Sequence, residues 1–203
     1  MSANVGGAVL DSAKSGMSFE GFLTAYDGQH AEWVDGGVVR MSPPSDRHQD
    51  VVGFLHAVLR PFVGRQHGVV RAAPYVMRID GAAREPDLLA VTAEHRGRIT
   101  ETLLDGPADL VIEVLSPESR ARDREQKFHE YEVAGVHEYW LVDPIGKSVE
   151  QYRRDAAGWF DRVLDDPTRL VSERFPGLCL EVAWLWSEPL PDVLDVFRTW
   201  GLI

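Results

Sequence analysis

Apolar and polar residues alternate along the chain with two periods, one typical of helices and the other typical of strands. Apolar residues at helical spacing over 51–62 predict a long amphipathic helix, which begins after a cap at Ser45 or Asp46. Pro61 is expected to bend or shorten the end of this helix. Two further helices are predicted, over 18–26 and over 120–134.

Apolar runs bounded by turn residues predict strands. The segment "EWVDGGVVRM" (32–41) has an Asp-Gly-Gly turn between two such runs and predicts a hairpin. Further strands are predicted over 69–79, 86–91, 109–116, 138–143 and 148–163, with a turn of helix near 98–103 and a strand leading into a short helix over 175–186. Two of the runs are apolar throughout, which indicates a sheet covered on both faces. Because a strand, a helix and a strand follow one another over 109–142, we expect a right-handed crossover and an α/β sandwich with a mixed central β-sheet flanked by helices.

The 203 residues are enough for one sizeable core, so a single domain is expected over 18–186. Residues 1–17 are small and polar and predict a flexible N-terminal tail. Residues 187–203 form an apolar C-terminal extension, for which packing on the domain and packing on a partner are both open.

The net charge of −11 disfavours a protein that holds nucleic acid on a broad basic surface, because phosphate binding depends on Lys and Arg. It is compatible with an enzyme that collects divalent cations. Cys179 is the one cysteine, which excludes an internal disulfide and a cysteine-based zinc site. We find neither an apolar stretch of membrane-spanning length nor the pattern of a signal peptide, so a cytoplasmic protein without a membrane partner is expected.

One apolar run contains a carboxylate. Glu113 lies in the middle of the strand predicted over 110–115, where an unpaired charge costs several kcal/mol. Asp87 lies at the start of another predicted strand, behind Pro86. If these strands are neighbours, the two carboxylates meet at one sheet edge and repel each other unless a cation lies between them. Carboxylates, with the backbone carbonyl of Val114, predict a site for Mg²⁺ or Mn²⁺.

The predicted helix that follows adds a cation to this edge. Asp123, Lys127 and Tyr131 are spaced four residues apart and share one stripe of the helix. If the stripe faces the sheet, Lys127 lies near Glu113 and can orient a water or steady a developing phosphate charge. Asp123 then orients the lysine, whereas Tyr131 is interpreted as a core or supporting residue.

These motifs resemble the PD-(D/E)XK nuclease superfamily, and in detail its Uma-type branch of restriction endonuclease-like proteins. The matching stretches cover residues 18–186: "EWVDGGVVRMSPPSDRHQ", "EPDLLAV", "DLVIEVLSPESRARDREQKFHEYEVAGVHEYWLVDP" and "FPGLCLEVAWLW". The resemblance implies a restriction-endonuclease-like fold with Asp87 and Glu113 as metal carboxylates. The superfamily's lysine position, two residues after the Glu, is Leu115 here, so the role passes to Lys127 on the helix. Glu32 and His48 match two further polar positions, as metal ligands or phosphate contacts.

Two functions stay open at this point. The first is a metal-dependent endonuclease that hydrolyses nucleic acid, with DNA as the expected substrate and a homodimer as the expected assembly. The second is a catalytically silent nuclease-fold protein with a binding or regulatory role. Each residue also has a purely structural interpretation: Glu113 in a buried ion pair with an arginine, Lys127 as a solvated helix lysine, Glu32 as an exposed strand residue, and His48 as an ordinary helix-start residue.

Overall fold

The computed structural model describes residues 4–5, 8–10, 16–163 and 166–203. The helices are α1 (Phe19–Ala25), α2 (Asp46–Arg65), α3 (Arg120–Arg124), α4 (Gln126–Ala134) and α5 (Val193–Thr199). The strands are β1 (Asn4–Val5), β2 (Ala8–Leu10), β3 (Ala31–Val34), β4 (Gly37–Arg40), β5 (Val69–Ala72), β6 (Val76–Ile79), β7 (Ala82–Arg84), β8 (Leu88–Val91), β9 (Leu103–Asp105), β10 (Leu110–Val114), β11 (Glu138–Asp143), β12 (Ser148–Arg154), β13 (Phe160–Arg162), β14 (Arg169–Val171) and β15 (Cys179–Glu181).

A six-stranded mixed sheet in the order β13-β12-β11-β10-β8-β5 forms the centre of the fold. Strand β10 runs parallel to β11, to which α3 and α4 connect it, and antiparallel to β8. One face of this sheet packs on α2, and the other carries α4 and part of a second, seven-stranded sheet. The predicted mixed α/β class is therefore confirmed.

The seven-stranded sheet, in the order β1-β2-β4-β3-β7-β6-β9, was not expected from the sequence. Its hairpin β3–β4 was predicted, but its short strands β7 and β9 were read as loop. The turn of helix predicted near 98–103 is instead a 3-10 turn at Arg96–Arg98, and β9 pairs in parallel with β6. Strand β7 pairs with its neighbour β6 in a hairpin and with β3, which is distant in sequence, whereas β9 pairs with β6; strands of three residues show little apolar pattern of their own.

The predicted helix over 120–134 is in fact two helices. Glu125, at φ −116° and ψ −69°, lies between them, so α3 ends at Arg124 and α4 begins at Gln126. The expected shortening of α2 at Pro61 was wrong, since α2 continues to Arg65. The buried side chains of Phe62 and Val63 hold its last turn against the core. The N-terminal caps are Ser18 on α1 and Ser45 on α2.

Both chain ends contribute secondary structure to the described part of the fold. Within the predicted tail 1–17, residues 4–5 and 8–10 are strands, and β2 pairs with β4; the rest, apart from 16–17, lies outside the described residues. The C-terminal extension packs on the domain through α5 and Trp200, whose ring centroid lies 5.2 Å from that of Phe62. Within the described part of the chain, no helix is long and apolar enough to cross a membrane.

Gly68, between α2 and β5, is predicted to be intolerant of a side chain. A Cβ there would lie 2.6 Å from Cγ1 of Val63 and 2.7 Å from the carbonyl oxygen of Val91. We expect Gly68→Ala to lower the free energy of unfolding by about 1–3 kcal/mol, measured by urea denaturation. Gly64→Ala is the control, because nothing lies within 4 Å of its Cβ and alanine favours the helix. Equal stability of the two variants would contradict the prediction.

Candidate active site

The carboxylate of Glu113 lies in a buried polar network above the six-stranded sheet. Its side chain points from β10 towards α4, and the residue is 3% exposed. Its Oε1 accepts hydrogen bonds from Lys127 Nζ at 2.7 Å and from Tyr131 Oη at 2.9 Å. The suggested arginine partner was therefore wrong: a lysine and a tyrosine compensate the buried charge.

Lys127 is the central cation of this network. It is 1% exposed, which rules out a solvated helix lysine. Besides Glu113, its Nζ contacts Oε1 of Glu32 at 2.9 Å and Oδ1 of Asp123 at 3.7 Å. The stripe predicted from the four-residue spacing thus faces the sheet, although the helix is interrupted between α3 and α4.

Asp87 stands next to Glu113 because of the register between β8 and β10. The ladder pairs Leu88 with Ile112, and continuing it by one residue places Asp87 opposite Glu113. Oδ2 of Asp87 accepts a hydrogen bond from the amide of Val114 at 2.7 Å and lies 3.2 Å from Nε2 of His48. Residue 114 thus enters the site through its N–H; ligation by its carbonyl stays a prediction.

Each of these two carboxylates is held through a single oxygen. The hydrogen bonds to Glu113 reach Oε1, and those to Asp87 reach Oδ2. Within the described residues, Oε2 of Glu113 and Oδ1 of Asp87 therefore keep their lone pairs for a further ligand. Asp87 is the half-buried, solvent-facing member of the pair, with 20% of its side chain exposed.

A second buried pair supports the network from the seven-stranded sheet. Glu32 on β3 is fully buried, so its interpretation as an exposed strand residue was wrong. Its Oε2 accepts from Nη1 of Arg84 at 2.7 Å. Arg84 also binds both carboxylate oxygens of Glu130 at 2.7 Å. Sequence reasoning missed Arg84; the one available signal was a charged residue among the alanines before Pro86-Asp87.

The charges in the network are unequally compensated. Burial disfavours ionised Glu32, but the charges of Lys127 and Arg84 outweigh burial and lower its pKa from 4.5 to about 2. Burial raises the pKa of Glu113; Lys127 opposes this, but the other acids around it add to the rise. Lys127 is shared among three carboxylates, and its own pKa is raised by them despite burial. Glu113 thus shares its cation, Lys127, with Glu32 and Asp123.

Two outer residues also have shifted pKa values. Burial lowers the pKa of His48, but its hydrogen bond to Asp87 and that carboxylate's charge outweigh burial and raise it. This contact makes His48 more than a helix-start residue. Burial and the nearby charge of Glu32 raise the pKa of Glu85 to about 8.

Arg122 and Asp123 bring the start of α3 to the same network. Both are buried, and Nε of Arg122 lies 3.8 Å from Oδ1 of Asp123. Tyr139 fixes the backbone here by donating from Oη to the carbonyl of Asp123 at 2.9 Å. Arg122 was not singled out from the sequence, since one of several arginines in "SRARDREQK" gives no signal of its own.

The donor set suits a hard divalent cation. Among the described residues, no three carboxylate, imidazole or thiol groups form a ready metal cage. Mg²⁺ does not require one, because it commonly takes one or two carboxylates and keeps several waters. Asp87 and Glu113, with one open oxygen each, meet that requirement, and the surplus of acids around Lys127 favours added positive charge.

Comparisons with known proteins give a family and a fold. The family model described as "Uma2: Putative restriction endonuclease" matches residues 19–183. Among solved structures, the chain resembles a "putative nuclease belonging to DUF820" from Anabaena variabilis, with a TM-score of 0.62 and 19% identity over 77% of this chain and 89% of that one. At this identity the likeness shows the fold. A search of curated proteins gives no match.

Proposed function

The chain belongs to the Uma2 family of putative restriction endonucleases, and we propose that it is a metal-dependent endonuclease that hydrolyses phosphodiester bonds of nucleic acid. One observation carries the proposal: two adjacent carboxylates, each held through one oxygen only, beside a fully buried lysine. A structural ion pair would be expected to satisfy both oxygens of each acid.

In this proposal Asp87 and Glu113 hold Mg²⁺ or Mn²⁺ through their open oxygens. The ion, when bound, polarises a phosphate and lowers the pKa of a water. His48 and the amide of Val114 fix the orientation of Asp87, and Tyr131 and Lys127 fix that of Glu113. The chain's own contribution is thus a rigid pair of acids in a site from which most water is excluded.

Lys127 acts mainly as a positioning residue in this arrangement. Its ammonium group has three protons, and three carboxylates lie within 4 Å of it. It opposes the cost of burying the charges of these acids and holds the three side chains close together. DNA as the substrate, a homodimer and a cytoplasmic location remain part of the proposal.

A catalytically silent binding protein is the second candidate. The observation in its favour is that Lys127 already contacts Glu113 and Glu32 at hydrogen-bonding distance and lies 3.7 Å from Asp123, so the acids compete with an attacking water for its protons. The net charge of −11 also works against tight binding of a polyanion. The two candidates differ in whether a metal-loaded protein cleaves DNA.

The test is isothermal titration calorimetry with Mn²⁺ on the wild type and on the variant Asp87→Asn/Glu113→Gln. We expect binding in the wild type and a loss of affinity of at least about 100-fold in the variant, because both ligands are removed. The control is Glu94→Gln/Glu173→Gln, which removes two exposed carboxylates elsewhere, with side chains 75% and 69% exposed.

Unchanged Mn²⁺ affinity in the Asp87/Glu113 variant would overturn the metal assignment. A DNA cleavage assay on the same proteins separates the two candidate functions. Cleavage by the wild type and by the control variant, but not by the Asp87/Glu113 variant, supports the nuclease. Metal binding without cleavage of single-stranded or duplex DNA supports the silent binding protein.

A further inference from the structure

Arg122 is a buried cation whose hydrogen-bonding capacity is poorly used. Its side chain is 5% exposed, yet its Nε has no hydrogen-bond partner within the described part of the chain. The nearest acid is Asp123, at 3.8 Å from Nε, a distance at which no hydrogen bond forms. Oδ1 of Asp123 also lacks a hydrogen-bond partner there.

The other two cations of the network, Arg84 and Lys127, already have hydrogen-bond partners within the chain. Arg84 makes hydrogen bonds to two carboxylates through Nε, Nη1 and Nη2. Lys127 is shared among three acids. Arg122 is connected to this network through Asp123, and its charge acts on Glu32 and on Lys127. A buried guanidinium without its hydrogen bonds is costly for folding, so a ligand outside the chain is the simplest reason for its presence.

We propose that Arg122 binds a phosphate oxygen of the nucleic-acid backbone, next to Asp123 at the edge of the acidic network. This inference rests on the proposed function and adds the residue through which the acidic site accepts a polyanion. The planar fork of a guanidinium matches two phosphate oxygens, which a lysine cannot do. Binding would also give the guanidinium group hydrogen bonds that it lacks within the described part of the chain.

Arg124 provides a matched control on the same short helix. It has the same charge as Arg122, but its guanidinium group already has a partner in the chain. Its Nε and Nη2 each lie 2.7 Å from Oε1 of Glu150. Arg122→Met and Arg124→Met therefore make the same change in net charge. They differ in whether the lost guanidinium already had a partner within the chain.

The experiment measures binding of a short fluorescein-labelled DNA duplex by fluorescence anisotropy, with Ca²⁺ as the divalent ion. We expect Arg122→Met to raise Kd about tenfold or more and to reduce the salt dependence by about one phosphate contact. The Kd of Arg122→Lys should lie between those of the wild type and Arg122→Met. Arg124→Met should change Kd less than about threefold. The Mn²⁺ affinity of all three variants should equal that of the wild type.

A stability measurement separates this proposal from a structural role. If Arg122 serves a ligand, Arg122→Met unfolds in urea at or above the midpoint of the wild type, because an unsatisfied buried donor is removed. A clear drop in the midpoint of both Arg122 variants, with Kd unchanged in the folded Arg122→Lys, would overturn the proposal. So would unchanged Kd in Arg122→Met.

The outcome also distinguishes this proposal from the proposed function. DNA binding that is insensitive to Arg122, together with Mn²⁺ binding and cleavage, rejects the phosphate contact and keeps the nuclease. A wild type that binds Mn²⁺ but no DNA rejects both.

Discussion

Lys127→Met should lower the free energy of unfolding by about 3–5 kcal/mol, because it removes the cation shared by three buried carboxylates. Methionine fills the volume of the aliphatic stem, so the loss reports the charge rather than a cavity. Urea denaturation at neutral pH measures it. Lys147→Met is the control, since Lys147 is exposed in the turn between β11 and β12 and should change stability by less than about 0.5 kcal/mol.

A double variant tests the cause of this loss. Glu113→Gln removes the acid that depends most on Lys127, while Glu32 keeps Arg84 as a partner. We expect Lys127→Met/Glu113→Gln to be more stable than Lys127→Met alone, with a coupling energy of about 1–3 kcal/mol. The lysine does not hold the acids together if the stability loss of the double variant equals the sum of the losses in Lys127→Met and Glu113→Gln. A loss below about 1 kcal/mol in Lys127→Met would show the same.

Arg84→Met should also lower the free energy of unfolding by about 3–5 kcal/mol, for a geometric reason as well as an electrostatic one. Arg84 is fully buried and joins Glu32 on β3 to Glu130 on α4, so its loss leaves a fully buried carboxylate with one cation fewer. Arg84→Lys keeps the positive charge but not the planar guanidinium group that binds both acids. We expect lysine to restore less than half of the stability that Arg84→Met loses. Thermal or urea unfolding measures both variants.

Arg78→Met is the matched control for Arg84. Arg78 lies on the neighbouring strand β6 and binds Asp105 through two contacts, of 2.9 Å and 2.6 Å. Its side chain is 43% exposed, so its ion pair is screened by solvent and should be worth less than about 1 kcal/mol. If Arg78→Met and Arg84→Met destabilised the protein equally, burial would not be the source of the effect.

The sequence predicts the part of the site that depends on local spacing. The four-residue spacing of Asp123, Lys127 and Tyr131 gives their common face, and an acid in an apolar run singles out Glu113. The apolar runs also identify the central strands, because residues buried on both faces of a sheet leave no polar alternation.

The remaining features depend on contacts between distant segments. Glu32 reaches Lys127 because β3 pairs with β7 in a second sheet, which no local pattern reveals. The same pairing brings in Arg84 at the end of β7. The register that sets Asp87 opposite Glu113 is a property of the β8–β10 ladder, and the sequence gives only the condition that these strands be neighbours.

Lys127 lies on helix α4 rather than on strand β10, so the site forms only when the helix packs on the sheet. Leu115, which stands where a strand lysine would be, is instead free to join the apolar core. If α4 alone detached from the sheet, Glu32 and Glu113 would lose their shared ammonium group and with it the compensation of their charges. Such a partial opening costs more than the fraying of an ordinary nine-residue helix. Molecules with a half-assembled site are therefore scarce in the native ensemble, and the acids meet the cation only as the whole domain closes.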